Sequence, residues 1–156
     1  MTNQFIENFS KRVVASNLAS GAPLVGCSEA EVAEIEAKLQ VKLPPIYRSF
    51  LLKMGRGMAG FCRDDDRLYP ELLTLTQGAQ DLLDHADTDY RLPSTAFVFW
   101  LSESGYFLFF DTTDGDDPPV FLYRDNTKEP IRKDDHFSET LDYLLAAQIE
   151  SQDKLQ

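Results

Sequence analysis

Two histidines and several groups of aspartates are the residues of this chain with the most chemical potential. His85 lies among aspartates of a predicted helix, and His136 directly follows Asp134 and Asp135. Neighbouring carboxylates raise the pKa of an imidazole, so both histidines are expected to titrate near neutral pH. Neither belongs to a zinc-protease motif, and the sequence contains no nucleophile elbow and no P-loop. We therefore interpret both as surface histidines and predict a chain without catalytic residues or cofactors.

The acidic run from Asp111 to Asp117 has the composition of a calcium loop but not its spacing. Counted from Asp111, the third residue is Thr113, the sixth is Asp116 and the twelfth is Leu122, so the EF-hand ligand pattern fails. Adventitious binding of a divalent cation stays open as an alternative. The interpretation we prefer is a solvated acidic turn between two strands.

A glycine-rich run, Gly55 to Gly60, matches the G-x-G-x-x-G pattern of dinucleotide sites. That fingerprint requires a strand before it and a helix after it, whereas here a helix is predicted before it. We interpret these glycines as a helix cap and a tight turn. Cys27 and Cys62 are far apart in the sequence and form no CxxC pair, which indicates free thiols in a reducing cytosol.

The elements that position these residues follow from apolar periodicity. Helical spacing predicts helices over residues 4–17, from Ser28 to Leu39, from Pro45 to Met54, over residues 77–86 and from Phe137 to about Ser151, beyond which the tail is expected to fray. Ser28 and Glu31 form a capping box. Gly55 is expected to cap the third helix. A short strand is predicted over residues 71–75.

Three apolar runs predict strands in the second half of the chain: residues 96–101, 106–110 and 120–123. The first two flank a four-residue turn and are expected to form a hairpin. Strict alternation places Phe97 and Phe99 on one face and Val98 and Trp100 on the other. We interpret the aromatic residues as core, with a partly open groove on one face as the alternative. Helices followed by a strand meander and a closing helix predict an α+β fold with a mainly antiparallel sheet.

The charge of the chain indicates the class of partner. Lys and Arg number 15 against 26 Asp and Glu, a formal net charge of −11 for 156 residues. This balance argues against nucleic acid and anionic membranes as partners, and it attracts cationic proteins. Solubility alone is the simpler explanation of the charge. No apolar run is long enough to span a bilayer and no secretory signal is visible, so a cytoplasmic protein is expected.

The run from Ser28 to Gly57 resembles the signature of the SUKH superfamily, the Smi/Knr-type domains. A capped acidic helix over residues 28–36 and the run Leu43 to Leu51 carry the likeness, although Gly55-Arg56-Gly57 stands where the family often has Asn-Gly. Later segments that resemble the family are Gly105-Tyr106, residues 109–111, residues 117–120 and residues 137–141. The resemblance implies one domain over residues 1–156, with its core at about residues 26–150, and no shared catalytic residues.

The resemblance also implies a protein-binding role. Many bacterial members look like immunity proteins that neutralise polymorphic or contact-dependent toxins, often nucleases, and fungal relatives look like regulatory interaction proteins. We expect the first role here, by occlusion of a basic toxin, and keep two alternatives: a regulatory module without a toxin, and a ligand binder or enzyme near a histidine. The oligomeric state stays open. The partner contacts we expect are loop-borne acids, namely Asp64, Asp65, Asp66, Asp114, Asp116 and Asp117.

Overall fold

The computed structural model describes residues 2–16, 23–61 and 69–154. The helices are α1 (Thr2–Ala15), α2 (Glu29–Leu39), α3 (Pro45–Met54), α4 (Leu72–His85) and α5 (Phe137–Lys154). The strands are β1 (Leu24–Val25), β2 (Gly57–Met58), β3 (Ala96–Ser102), β4 (Tyr106–Asp111), β5 (Val120–Arg124) and β6 (Ile131–Asp134). Strands β3 to β6 form one antiparallel sheet in chain order, and β1 pairs with β2. The predicted α+β class with a mainly antiparallel sheet and a closing helix is confirmed.

Local signals define the ends of several helices. The capping box of α2 is present, because the Ser28 hydroxyl accepts from the Glu31 backbone N–H and the Glu31 carboxylate accepts from the Ser28 N–H. Helix α3 begins at Pro45, as predicted. Helix α5 does not fray at Ser151 as expected but continues to Lys154, whose ammonium pairs with Glu150 one turn earlier.

The strand predicted over residues 71–75 is wrong, because these residues open α4. Leu72, Leu75, Ala79 and Leu83 are all buried and recur at three- and four-residue spacing, so the run is one stripe of a helix. The helix predicted over residues 77–86 is therefore the second part of a longer one. Helix α4 packs beside β3 and covers an otherwise open sheet edge. There the Val98 N–H donates to the Thr76 hydroxyl at 3.4 Å.

The predicted hairpin is confirmed, but a β-bulge changes the faces of its aromatic residues. Val98 pairs with Phe109 whereas Trp100 pairs with Leu108, so Phe99 is the extra residue. The bulge turns Trp100 to the same face as Phe99, and the two side chains line one small internal cavity. The prediction that Trp100 lies with Val98 is therefore wrong, since strict alternation holds only for an unbroken strand.

Helices α3 and α5 cover one face of the sheet, which we call the helical face. Its centre is the fully buried ring of Tyr47, which contacts the rings of Phe97 and Phe110 at 5.1 and 5.2 Å between centroids. Phe137, the first residue of α5, contacts Tyr47 at 5.3 Å and Phe99 at 5.3 Å. Edge-to-face and offset contacts of this kind add to the area that the rings bury.

The opposite face, which we call the outer face, carries a second aromatic ladder. Phe107 packs on Tyr123 and Phe109 stacks on Phe121, with centroids 5.3 and 5.5 Å apart. Phe107, Phe109 and Tyr123 are buried, whereas Phe121 is half-buried. The aromatic residues are thus core, as interpreted, but the outer face is closed less completely than the helical face.

A close backbone approach joins β1 to α3. The Cys27 N–H donates to the Leu51 carbonyl at 2.8 Å, and the Arg56 N–H donates to the Val25 carbonyl at 2.8 Å. A Cβ atom added at Gly26 would overlap the backbone carbonyl of Leu52.

Gly55 lies at the C-terminal cap of α3, as predicted, with an ordinary right-handed φ of −65°. Glycine is needed at position 55 for space, because an added Cβ would lie 2.5 Å from the Cys27 sulfur.

We expect Gly26→Ala to lower the free energy of unfolding by about 2 kcal/mol or more, because the new methyl group meets backbone rather than a movable side chain. Gly115→Ala is the matched control: its φ is +93° and no atom lies within 4 Å of an added Cβ, so only backbone strain of about 1 kcal/mol is expected. Urea unfolding of both variants measures the difference. An equal or smaller loss for Gly26→Ala would contradict the close approach.

Candidate functional site

The segment between α4 and β3, residues 86–95, lies against the outer face of the sheet. The Thr88 hydroxyl donates to the Lys128 carbonyl, and the Lys128 ammonium donates to the Asp87 carbonyl at 2.7 Å, which joins this segment to the loop between β5 and β6. At its other end, the Thr112 N–H donates to the Thr95 carbonyl at 2.9 Å. The segment is therefore tied to two loops, and a cleft remains between them.

This cleft has a volume of about 420 Å³ and combines an aromatic floor with an acidic wall. Phe109 and Phe121 of the sheet form the floor together with the ring of Tyr90. Within the described part of the chain, its lining contains three carboxylates and no cationic side chain. We call it the outer cleft, and it is lined by Tyr90, Pro93, Phe109, Asp111, Asp114, Phe121, Glu129 and Pro130.

Asp111, at the end of β4, is held as a carboxylate. Its Oδ1 accepts from the Thr113 backbone N–H at 2.9 Å and from the Thr113 hydroxyl at 2.6 Å. Partial burial raises the pKa of Asp111, but hydrogen bonds from Thr113 and Thr95 outweigh that effect and hold the pKa below its ordinary value. The charge at the inner end of the cleft is therefore retained throughout the neutral range.

Tyr90 is the aromatic side chain that borders this charge. Burial, and secondarily the negative charge of Asp111, raise the pKa of its phenol. Tyr90 thus stays neutral at neutral pH and presents a ring face and a hydroxyl. Among the described residues, no lysine, arginine or histidine forms an ion pair with Asp111, Asp114 or Glu129, so the acidic wall is not neutralised from within.

Lys128, which directly precedes Glu129, is engaged beside the cleft. Its ammonium pairs with the Asp87 carboxylate at 2.7 Å, and this hydrogen bond and charge contact lower the pKa of Asp87. Lys128, Asp89 and Glu129 border a second surface groove that shares Tyr90 and Glu129 with the outer cleft. Both partners of the Lys128–Asp87 pair are well exposed, so the pair orders the rim without adding much stability.

The chemistry available in the outer cleft is binding rather than bond-making. Carboxylates over an aromatic floor accept hydrogen bonds from a cation whose stem is apolar. In residues 2–16, 23–61 and 69–154, no group of three or more His, Cys, Asp and Glu side chains is arranged to hold a metal ion. Cys27 is buried, and burial with the charge of Glu31 raises its thiol pKa to about 11, so the reactive thiolate is disfavoured.

The structure separates the acids predicted as partner contacts. Asp114 and Asp116 are exposed on the loop between β4 and β5, and Asp114 also lines the outer cleft. Asp64, Asp65 and Asp66 lie outside the described residues. The sequence analysis missed Tyr90, Phe121 and Glu129. A partly open groove on one sheet face was kept as an alternative, but it included none of these three residues.

Asp117 is occupied by internal hydrogen bonds. Its carboxylate accepts from the Ser138 backbone N–H at 3.0 Å and from the Ser138 hydroxyl at 2.6 Å, and so caps the N-terminus of α5 from another part of the chain. Its neighbour Asp116 accepts from the Ile46 N–H at the start of α3 through its backbone carbonyl at 3.3 Å. The acidic loop thus fastens the two helices that cover the helical face.

The two histidines have different surroundings. His85 Nδ1 lies 2.8 Å from the Asp81 carbonyl of its own helix. His136 Nδ1 lies 2.8 Å from the Asp117 carbonyl, and this hydrogen bond is the largest of the effects that raise its pKa. The charges of Asp117, Glu139 and Asp135 add to the upward shift. The pKa of His136 is raised, as expected, but the hydrogen bond to a backbone carbonyl is a larger effect than the charge of any one carboxylate.

We expect Asp117→Ala to destabilise the protein by about 1 to 2 kcal/mol, because α5 loses its cap and two hydrogen bonds. Asp116→Ala is the matched control, since it removes the same charge from the next residue but leaves the backbone hydrogen bond to Ile46 intact. Chemical denaturation of both variants distinguishes the two roles. Similar stabilities would contradict the internal role of Asp117.

The raised pKa of His136 makes part of the stability depend on pH. Because the folded pKa lies above the unfolded one, the contribution is complete below the unfolded value of about 6.5 and is lost as pH rises through the folded value. We expect the stability difference between the parent and His136→Gln to shrink from about pH 5.5 to pH 8. Unfolding curves at both values measure this, and a constant difference would contradict it.

Among the described residues, no helix is long and apolar enough to cross a membrane.

Comparison with known proteins gives a family match over most of the chain. A search of curated proteins found no match. The model of the SMI1 / KNR4 family (SUKH-1) matches residues 26–143. This range begins at the glycine packed against α3, ends within α5 and includes all the lining residues of the outer cleft. The chain therefore belongs to the SMI1 / KNR4 family (SUKH-1).

Proposed function

We propose that this chain is an immunity-type protein that binds a basic toxin domain and neutralises it by occlusion. The observation that carries the proposal is the outer cleft, whose carboxylates form no ion pair within the described residues and lie beside the exposed acids of the loop between β4 and β5. Family membership supports a protein-binding role. The net charge of −11 supports rapid capture of a cationic partner.

Occlusion depends on a rigid binding surface rather than on catalytic residues. The floor of the outer cleft belongs to the central strands, and its walls are loops tied by backbone hydrogen bonds. A preorganised surface loses little conformational freedom on binding, so more of the contact energy appears as affinity. We also propose that the chain is a cytoplasmic binding protein and not an enzyme, and the family match supports the binding role.

We also propose that residues 1–156 form one domain with its core at about residues 26–150. Helix α1 precedes the matched range, yet it supplies the buried side chains Ile6, Phe9 and Val13. Phe9 contacts Phe61 edge-on at 5.5 Å between centroids, and Arg12 pairs with Asp142 of α5. These contacts support a helix that is part of the domain rather than an appendage.

The direct test is co-expression with the toxin encoded by the neighbouring gene. We expect rescue of growth and a stable complex that weakens with added salt, because exposed charge contacts are screened. Absence of both rescue and complex would contradict the toxin partner. Recovery of an endogenous enzyme or scaffold instead would support the alternative, a regulatory module without a toxin partner.

A charge-reversal pair locates the binding surface. We expect Asp114→Lys to weaken the complex about tenfold, since it places a cation where a basic partner docks. Glu103→Lys is the matched control: it makes the same change of charge in the turn at the far end of the β3–β4 hairpin. Isothermal titration calorimetry of both variants measures the effect. Equal weakening would indicate net charge alone and would exclude docking at Asp114.

A further inference from the structure

The geometry points to an arginine side chain of the partner as the occupant of the outer cleft. Two features of the cleft define the chemistry of its occupant: aromatic rings in its lining, and carboxylates that come from three different points of the chain. The inference deepens the proposed function and rests on it for the source of the side chain.

The aromatic floor favours a planar cation. Phe109 and Phe121 stack on each other with an interplanar angle of 25°. Phe109 is buried whereas Phe121 is half-buried, so Phe121 and the neighbouring Tyr90 are the rings that an occupant can reach. A guanidinium stacks on aromatic rings and is more weakly hydrated than an ammonium, which lowers the cost of entering an apolar cleft. The prolines Pro93 and Pro130 add apolar lining that the methylene stem of an arginine contacts.

The carboxylates are arranged for several donors rather than for one. Asp111, Asp114 and Glu129 belong to three different points of the chain: the end of β4, the loop that follows it, and the loop between β5 and β6. A guanidinium has five N–H donors in a fixed fork, whereas an ammonium is a compact charge with three. Charge complementarity therefore selects a cation, and the spread of acceptors around an aromatic floor selects arginine over lysine.

An arginine of this chain already contacts one aromatic ring and one carboxylate at the same time. Arg56 lies over the ring of Tyr69 at 4.7 Å from the centroid while its guanidinium pairs with the Glu31 carboxylate. Tyr90 and Asp111 bring the same two kinds of group, a ring and a carboxylate, to the lining of the outer cleft. There the lining supplies both the ring and the acids, and the arginine comes from the partner.

The test uses the intact protein and blocked amino acids. We titrate it with N-acetyl-arginine amide, with the lysine derivative and with the neutral citrulline isostere, and follow backbone amide shifts by NMR. We expect saturable shifts at Tyr90, Phe121 and Glu129 for arginine, with a dissociation constant in the millimolar range typical of a single side chain, weaker shifts for lysine and none for citrulline. Equal responses to arginine and citrulline, or to arginine and lysine, would overturn the inference.

Two variants locate the binding. Asp114→Asn combined with Glu129→Gln should weaken arginine binding about fivefold or more by removing two charges, while Glu103→Gln should leave it unchanged. Tyr90→Leu should weaken it through the lost ring. Unchanged binding in the double variant would also overturn the inference. Toxin rescue without arginine binding would reject this inference alone, whereas arginine binding without any protein partner would reject the proposed function alone.

Discussion

The sheet is apolar on both faces, and this one constraint determines where the rest of the chain must lie. Phe97 and Phe110 on the helical face and Phe107 and Tyr123 on the outer face are all completely buried. The helical face receives α3 and α5, whose Tyr47 and Phe137 rings fill it. On the outer face, α4 packs beside β3 and a Cβ added at Gly78 of this helix would meet the Leu101 side chain, whereas the irregular segment with Tyr90 and Pro93 lies beside Phe109 and Phe121. The outer cleft lies where the irregular segment covers the sheet.

The loop between β4 and β5 connects the closed face to the open one. On one side, Asp117 caps α5 and the Asp116 carbonyl accepts from the first turn of α3, so the loop holds the two covering helices in place. On the other side, Asp114 projects into the outer cleft. A run of acids that looks uniform in sequence therefore divides by role, because an acid next to a helix N-terminus is stabilised there and one next to solvent is not.

The sequence predicts elements well where one local cause is sufficient. The capping box at Ser28 and Glu31 and the prolines before α3 define helix starts without tertiary information. It predicts poorly where tertiary contacts decide the secondary structure. Residues 71–75 are predicted as a strand, although their leucines belong to the buried stripe of a helix. The four-residue strand β6 is recognisable only through its pairing with β5. The bulge at Phe99 reverses the face of Trp100, and no residue type in the strand indicates such an insertion.

The outer cleft lay beyond sequence reasoning for a related reason. Its aromatic and acidic residues come from the segment before β3, from β4 and β5, and from two loops, so no short motif contains them. The excess of acids and the apolar strands are visible in the sequence. Only the folded chain shows which acids lie beside which aromatic rings. Because the strands fix the rings and hydrogen bonds fix the Asp111 carboxylate and the loop backbones, part of the site is ordered before any partner arrives. A site of this kind suits recognition of a basic surface, since its selectivity comes from charge and shape together.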